Sequence, residues 1–257
     1  MRRLPPDPLS IRAVWARRLG WFAAAVTLIG VLATRAGLLP YHQGIVVLGA
    51  GAAVALLAFV LALVALVEIW NIGARGLRQA LVGFLLSLVL LAGPASLGVR
   101  AMATPALNDI STDLADPPHF SRTRAALAAR DGVVPGQSSA ATRAAQRRHY
   151  ADIKPLELDL PIDEALPVVN AVIEAMGWRV IARQGPSRRG GPARIDALES
   201  SLVLRLPDDI AVRVTPLIER TRIDIRSVSR HGERDLGGNA ARVRRFLAAL
   251  QLEARGR

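Results

Sequence analysis

The chain has 257 residues, of which 51% are hydrophobic, with a formal net charge of +12 and a mean hydropathy of +0.30. Such hydropathy in so arginine-rich a chain predicts apolar segments separated from a polar domain. The lack of cysteine excludes disulfides and thiolate metal sites, and with Lys154 as the only lysine the basic excess resembles a coding bias rather than selection for nucleic acid.

The first hundred residues predict a transmembrane region, residues 1–99, with three helices. Apolar runs cover residues 21–39, 44–70 and 80–99, and each is close to the 17 to 25 residues that cross a bilayer. Trp21 and Trp70 stand at run ends, where indole rings favour the headgroup region.

Small residues recur at helical spacing along these runs. Such stripes let membrane helices approach closely, which predicts either a compact bundle or self-association through the small-residue faces. The stripes are Ala23, Thr27, Gly30 and Thr34; Gly51, Ala55, Ala58, Ala62 and Ala65; and Ala80, Gly83 and Ser87.

Arginines near the runs predict the orientation. Five precede the first run and Arg75 and Arg78 follow the second, whereas Arg35 alone separates the first from the second. The positive-inside rule then places the N-terminus in the cytoplasm and everything after Val99 outside, on a bacterial inner membrane with a periplasmic or extracytoplasmic domain. The alternative is a cleaved signal peptide with an apolar region at 21–33, although the residues that follow make a poor cleavage site.

Residues 100–155 predict an extended Pro/Ala-rich linker that lies partly on the following domain, with a short helix around Ala140–Arg148. Residues 156–257 then predict an α+β domain. Strand alternation at 156–160 precedes a helical pattern at 163–176, and Gly177 stands where a helix commonly ends. A further strand at 178–183 leads into a flexible loop.

The later strands predict specific registers. A three-residue loop Pro207-Asp208-Asp209 would pair Leu206 with Ile210 and Leu204 with Val212. In the next hairpin, pairing Val214 with Ile223 and Val212 with Ile225 also sets Arg213 opposite Asp224 and avoids opposing like charges. The last helix carries an apolar stripe at Leu236, Ala240, Val243, Leu247 and Leu250 and a polar face at Asn239, Arg242 and Arg245.

The predicted architecture is a mainly antiparallel sheet of about five strands with two helices on one face, preceded by the three-helix transmembrane bundle. Several short pieces between Asn108 and Leu250 occur in an order that resembles the DUF1499 family, a domain of unknown function found in bacterial envelope proteins. The resemblance implies the same domain but no activity, substrate or catalytic residue. The pieces are Asn108–Asp113, Pro117-Pro118, Met176-Gly177-Trp178, Asp208-Asp209, Arg226–Arg230, Gly232, Asp235-Leu236-Gly237 and Asn239–Arg242.

Two hypotheses cover the polar residues of Arg222–Phe246. In the first, a helix N-terminus and nearby arginines form an anion or ligand pocket, from Arg226, Arg230, Asp235, Asn239 and Arg242. In the second, the arginines pair with Asp208, Asp209 and Asp235 in a structural network that also contains Arg213 and Asp224.

Candidate chemistry is sparse. The adjacent Asp208 and Asp209 would point to opposite faces of a strand, and the four histidines have no metal-binding spacing, so no catalytic residue, metal or cofactor is predicted. The sequence favours a non-catalytic envelope module that binds the bilayer and either an envelope protein or an anionic ligand, with no nucleic-acid partner. The alternative is a membrane-bound hydrolase or transferase that acts on a phosphate-like group around Arg226, Arg230 and Asp235.

Overall fold

The computed structural model describes residues 8–187, 190–201 and 203–256. They form two compact units. The first contains the long N-terminal helices as far as Val99 together with residues 203–205, and the second contains the remaining described residues from Arg100 onward.

Three helices of the first unit are long and apolar enough to cross a membrane: α1 (Ile11–Arg35), α2 (Tyr41–Ile72) and α3 (Leu77–Ala103). The number of predicted spans is confirmed, but α1 begins well before the predicted residue 21. The Ser10 hydroxyl caps its N-terminus by accepting from Ala13 N, so the arginine-bearing segment before the apolar run is helical as well.

The small-residue stripes lie where the helices meet. A Cβ built on Gly83 would lie 2.6 Å from the backbone carbon of Ala16, and one on Gly51 would lie 2.6 Å from the Thr27 hydroxyl oxygen. Phe59 and Phe84 also stack, with ring centroids 5.2 Å apart. Glycine at these positions therefore permits close packing between helices that leucine-rich faces could not achieve.

The second unit contains a six-stranded antiparallel sheet, where about five strands were predicted. Its order is β1-β6-β5-β4-β3, and β2 also pairs with β6. The strands are β1 (Asp109–Ser111), β2 (Leu156–Leu158), β3 (Arg179–Gln184), β4 (Ala193–Ser200), β5 (Pro207–Pro216) and β6 (Thr221–Ser229). Because β1 and β2 pair with different parts of β6, β6 has a partner on both sides along most of its length.

The predicted register of the last hairpin is confirmed, since Val212 opposes Ile225 and Arg213 opposes Asp224. The prediction of a three-residue loop before this hairpin is wrong. Pro207, Asp208 and Asp209 lie within β5, and Ile210 opposes Ala197 rather than Leu206. β4 ends at Ser200 and β5 begins at Pro207, and the apolar residues of β4 supply the longer ladder.

Helices α6 (Ile162–Ala175) and α7 (Gly238–Arg255) share one core with the sheet. The helix predicted at 163–176 is confirmed, and Gly177 follows it with a φ of +68°, a backbone conformation that favours glycine. Trp178 stacks on Phe246 in the core, with ring centroids 5.1 Å apart. The predicted stripe of α7 omitted Phe246, which is fully buried.

Residues 100–155 form more than the predicted linker. They supply β1 to the sheet, as well as α4 (Arg124–Ala129) and α5 (Ala140–His149), the latter close to its predicted position. Phe120 from this segment packs with Ala211 and Val228 in a small second cluster. Sequence periodicity missed this role because β1 is only three residues long and the chain around Phe120 is irregular.

Candidate functional site

The polar residues predicted to form one pocket are divided between the two faces of the sheet. Alternate residues of a strand point to opposite faces. On β6, Arg226 contacts Phe120, 5.2 Å from the guanidinium carbon to the ring centroid, whereas Ser227 donates to Asn239 of α7. On β5, Asp209 pairs with Arg230, and the adjacent Asp208 accepts from Arg242 of α7.

Arg226 is 1% exposed, and its Nε and Nη2 are bound by protein acceptors. Its Nε and Nη2 donate to the two carboxylate oxygens of Asp109, at 3.0 and 2.7 Å, and Nη2 also donates to the carbonyl oxygen of Gly136 at 2.5 Å. The hydroxyl of Ser138 donates to the same carboxylate. A bidentate pair of this kind is strong and directional, and the burial of Arg226 leaves almost no surface of the guanidinium accessible to a ligand.

A buried chain of charges runs beside this pair. Arg130, which is fully buried, donates to Asp209 Oδ1 at 2.9 Å, to Asp196 Oδ2 at 2.6 Å and to the Ser121 carbonyl oxygen. Asp209 in turn accepts twice from Arg230, at 3.0 and 3.2 Å. Burial raises the pKa of Asp196, despite the opposing hydrogen bonds from Arg130 and from Ser121 N.

On the opposite face of the sheet, Asn239 and Arg242 are buried, although the sequence predicted them on a polar face of α7. Arg242 donates to Asp208 at 2.5 Å, to the Ser227 hydroxyl at 2.8 Å and to Glu199. The Asn239 amide nitrogen donates to the Asn108 carbonyl and to the Ser229 hydroxyl, both at 3.0 Å. Helix periodicity located these side chains correctly around the helix but could not show that they meet polar strand residues.

Asp235 organises the start of α7. Its two carboxylate oxygens accept from Gly237 N at 2.9 Å and from Asn239 N at 2.6 Å, so it binds the backbone amides that a ligand anion would have used. Burial raises the pKa of Asp235, with these two hydrogen bonds opposing the increase. The chain reaches the helix through Leu236 and Gly237, both with positive φ.

The predicted Arg213–Asp224 contact belongs to a larger cluster beside β1. Arg213 Nη2 donates to Asp224 and to Asp113, each at 3.0 Å, and its Nη1 donates to Asp116 at 2.5 Å. Arg222 donates to the same two acceptors, Asp113 and Asp224. The cluster therefore joins β5 and β6 to the segment that follows β1.

Sequence reasoning missed several partners in these networks, including Arg130, Asp196, Asp113, Asp109, Asp116 and Glu199. Asp109 and Asp113 lie within the motif pieces, which was the only available signal for them. Arg130 lies in the segment interpreted as a linker, and Asp196 lies in a strand that contains none of the motif pieces. Nothing local to either residue marks it as buried.

Hydroxyl groups beside this network are engaged as well. Ser227 and Ser229 are both hydrogen-bonded to Asn239, and burial lowers the pKa of His231. Two open grooves lie instead on either side of Lys154 and Pro155, and neither is lined by Arg226, Arg230, Asp235, Asn239 or Arg242.

A family model described as "Protein of unknown function (DUF1499)" matches residues 109–250, more than half of the chain, including the six described strands, α6 and most of α7. No curated protein matches the chain.

Proposed function

The chain belongs to the DUF1499 family, and on that premise we propose that it is a non-catalytic binding or interaction module of the bacterial cell envelope. Its three apolar helices anchor it in the inner membrane, and the family domain lies on the extracytoplasmic side. The bilayer and an envelope protein or an anionic ligand are its partners.

The observation that carries the proposal is the mutual saturation of the polar residues that a reaction would need. Arg226 is bound to Asp109, Arg230 to Asp209 and Asp131, and Arg242 to Asp208 and Glu199. A hydrolase or transferase needs donors that meet its substrate in an accessible cleft. These guanidinium groups are 8% exposed or less and already hold carboxylates, which favours a structural role for them.

The first unit supports the proposed orientation. Arg75 N donates to the Pro8 carbonyl oxygen and Ser10 N donates to the Arg75 carbonyl oxygen, both at 2.9 Å. The segment before α1 and the connection between α2 and α3 therefore lie at the same end of the bundle. Arginines are concentrated at this end of the bundle, with Arg12, Arg17 and Arg18 early in α1, Arg75 in the connection and Arg78 at the start of α3, as the positive-inside rule predicts for a cytoplasmic end.

Topology is tested with a reporter that is active only outside the cytoplasm. Fused after Arg257, it should be active. The same reporter inserted at Ala74, in the connection between α2 and α3, should be inactive. Activity of the Ala74 fusion together with silence of the Arg257 fusion would overturn the proposed orientation.

Absence of catalysis is tested on the purified full chain in a non-ionic detergent, with chromogenic phosphate monoesters, phosphate diesters and carboxylic esters. We expect no turnover above that of a matched extract from cells that lack the protein. Turnover that survives purification and is lost in Ser229→Ala would instead assign a hydrolase.

A further inference from the structure

A groove of about 620 Å³ opens on the second unit between the segment after β1, the end of α5 and the start of β6. Three cationic side chains line it: Arg147, Lys154 and Arg222. Leu114, Tyr150 and Pro155 contribute apolar surface to its wall. The groove shares Lys154 and Pro155 with the neighbouring one of about 290 Å³.

The cations of this groove differ from the buried arginines in being accessible to solvent. Arg147 and Lys154 are exposed and form no ion pair with any residue in the described part of the chain. Arg222 uses Nε and Nη2 for Asp113 and Asp224. Its side chain is 33% exposed, and Nη1 forms no hydrogen bond with a described residue.

The single acid in the wall, Asp113, is already compensated. Its Oδ1 accepts from Ala115 N and Asp116 N, each at 3.0 Å, and its Oδ2 accepts from Arg213 and Arg222. With both oxygens occupied, Asp113 is a poor competitor for Arg147 and Lys154. The groove therefore presents two cations, Arg147 and Lys154, that form no ion pair with a described residue, beside the paired but partly exposed Arg222.

We propose that this groove binds a phosphate-bearing amphiphile, with the phosphate held by Arg147, Lys154 and Arg222 and the adjoining apolar part against Leu114 and Tyr150. Guanidinium and ammonium groups both recognise phosphate, the former through paired N–H donors. The apolar wall favours a ligand that is more than a free ion. The inference rests on the proposed binding role and assigns it a site and a ligand class.

The test is calorimetric titration of the full chain in a non-ionic detergent. Three anionic probes are compared: inorganic phosphate, glycerol 1-phosphate, and dihexanoyl phosphatidylglycerol. Dihexanoyl phosphatidylcholine is the zwitterionic control. We expect dihexanoyl phosphatidylglycerol to bind at least about 10-fold more tightly than inorganic phosphate, equivalent to about 1.4 kcal/mol, and the zwitterionic lipid to bind no better than inorganic phosphate.

The decisive variant is Arg147→Gln combined with Lys154→Gln, which removes both unpaired cations while leaving the Arg222 cluster intact. It should weaken phosphatidylglycerol binding by at least about 10-fold. Arg148→Gln combined with Arg179→Gln is the matched control. It removes two exposed charges, one of them from the same turn of α5, that do not line the groove, and it should change binding by less than about 2-fold. Non-specific partitioning into detergent is the same in all variants.

Each outcome has a defined consequence. Equal loss in both double variants, or equal affinity for the two lipids, would overturn the groove as a specific site. Inorganic phosphate binding as tightly as the lipid would overturn the amphiphile and assign the free ion. No binding of any anion would overturn the inference and leave the non-catalytic proposal standing, whereas hydrolysis of a probe would overturn that proposal itself.

Discussion

Arginine has opposite roles in two regions of the family domain. Arg130 and Arg226 are buried and each binds at least one carboxylate, whereas Arg147 beside the groove is exposed and forms no ion pair with any described residue. The sequence directs attention to the first region through Arg226, which lies in a motif close to glycines and a helix start, and gives no such signal for Arg130. The comparison shows that a structural network is distinguished from a binding surface by the partners of each charged side chain, more than by the number of charged residues in a segment.

Arg130→Met should produce the largest change in stability. It removes the guanidinium from two buried carboxylates and leaves Asp196 with only the Ser121 N–H, so we expect the free energy of unfolding to fall by about 3–5 kcal/mol. Urea unfolding of the full chain in mild detergent measures it. Arg124→Met, at an exposed position of α4, is the control and should stay within about 0.5 kcal/mol. A loss no larger than that of the control would place Arg130 outside the structural network.

Arg230→Met should have a smaller effect, a loss of about 1–2 kcal/mol, because Asp209 retains Arg130 as a partner. The two substitutions share one carboxylate and should therefore not be additive. The double variant should lose more than the sum of the single losses, since Asp209 then has neither guanidinium. Strict additivity in the same urea measurement would show that the two arginines act independently.

Arg147→Gln and Lys154→Gln should change the free energy of unfolding by less than about 0.5 kcal/mol each. These side chains are exposed and unpaired among the described residues, so their removal exposes no buried charge. The same urea measurement therefore distinguishes the groove cations from the buried arginines without any ligand. A loss above about 1 kcal/mol from either substitution would mean that the groove cations are structural and would remove the basis of the comparison.

The sequence predicted the elements whose causes are local. The hairpin register of β5 and β6 followed from apolar alternation together with the Arg213–Asp224 pairing, and the end of α6 followed from Gly177. The alternation of Leu202, Leu204 and Leu206 led to a wrong strand prediction. The described part of that segment is a connection, and β4 already provides the strand that pairs with β5.

The partners in the buried network could not be predicted in this way. Arg226 and Asp109 are 117 residues apart in the chain, and Arg130 is 66 residues from Asp196 and 79 from Asp209. No local period connects such positions. The groove was missed for a related reason, since its cations come from α5, from the segment before β2 and from β6 and meet only after the sheet has formed.

The smallest expected effect concerns Asp152 and Arg244, an ion pair in the wall of the neighbouring groove. Arg244 donates to both carboxylate oxygens of Asp152, at 2.6 and 2.8 Å, and this hydrogen bonding lowers the pKa of Asp152. The pair is intermediate between the buried network and the exposed groove cations. It is bidentate like the buried network, but the side chain of its acid is 57% exposed. Solvent screening should then limit its contribution to a few tenths of a kcal/mol.

The sign of its pH dependence follows from the lowered pKa. An acid whose pKa is lower in the folded state stabilises the fold above its unfolded pKa of about 3.9, and that stabilisation is lost as the pH falls through the folded value. The difference in unfolding free energy between the native chain and Asp152→Asn should therefore be constant from pH 5 to 7 and should diminish as the pH falls below about 3.9. Asp159→Asn, at an exposed position without an ion pair in the described part of the chain, is the control and should give no such trend. If the difference in unfolding free energy for Asp152→Asn persists unchanged at low pH, the Asp152 side chain stabilises the fold through packing. Exposed bidentate pairs in this protein would then resemble the groove cations more than the buried network.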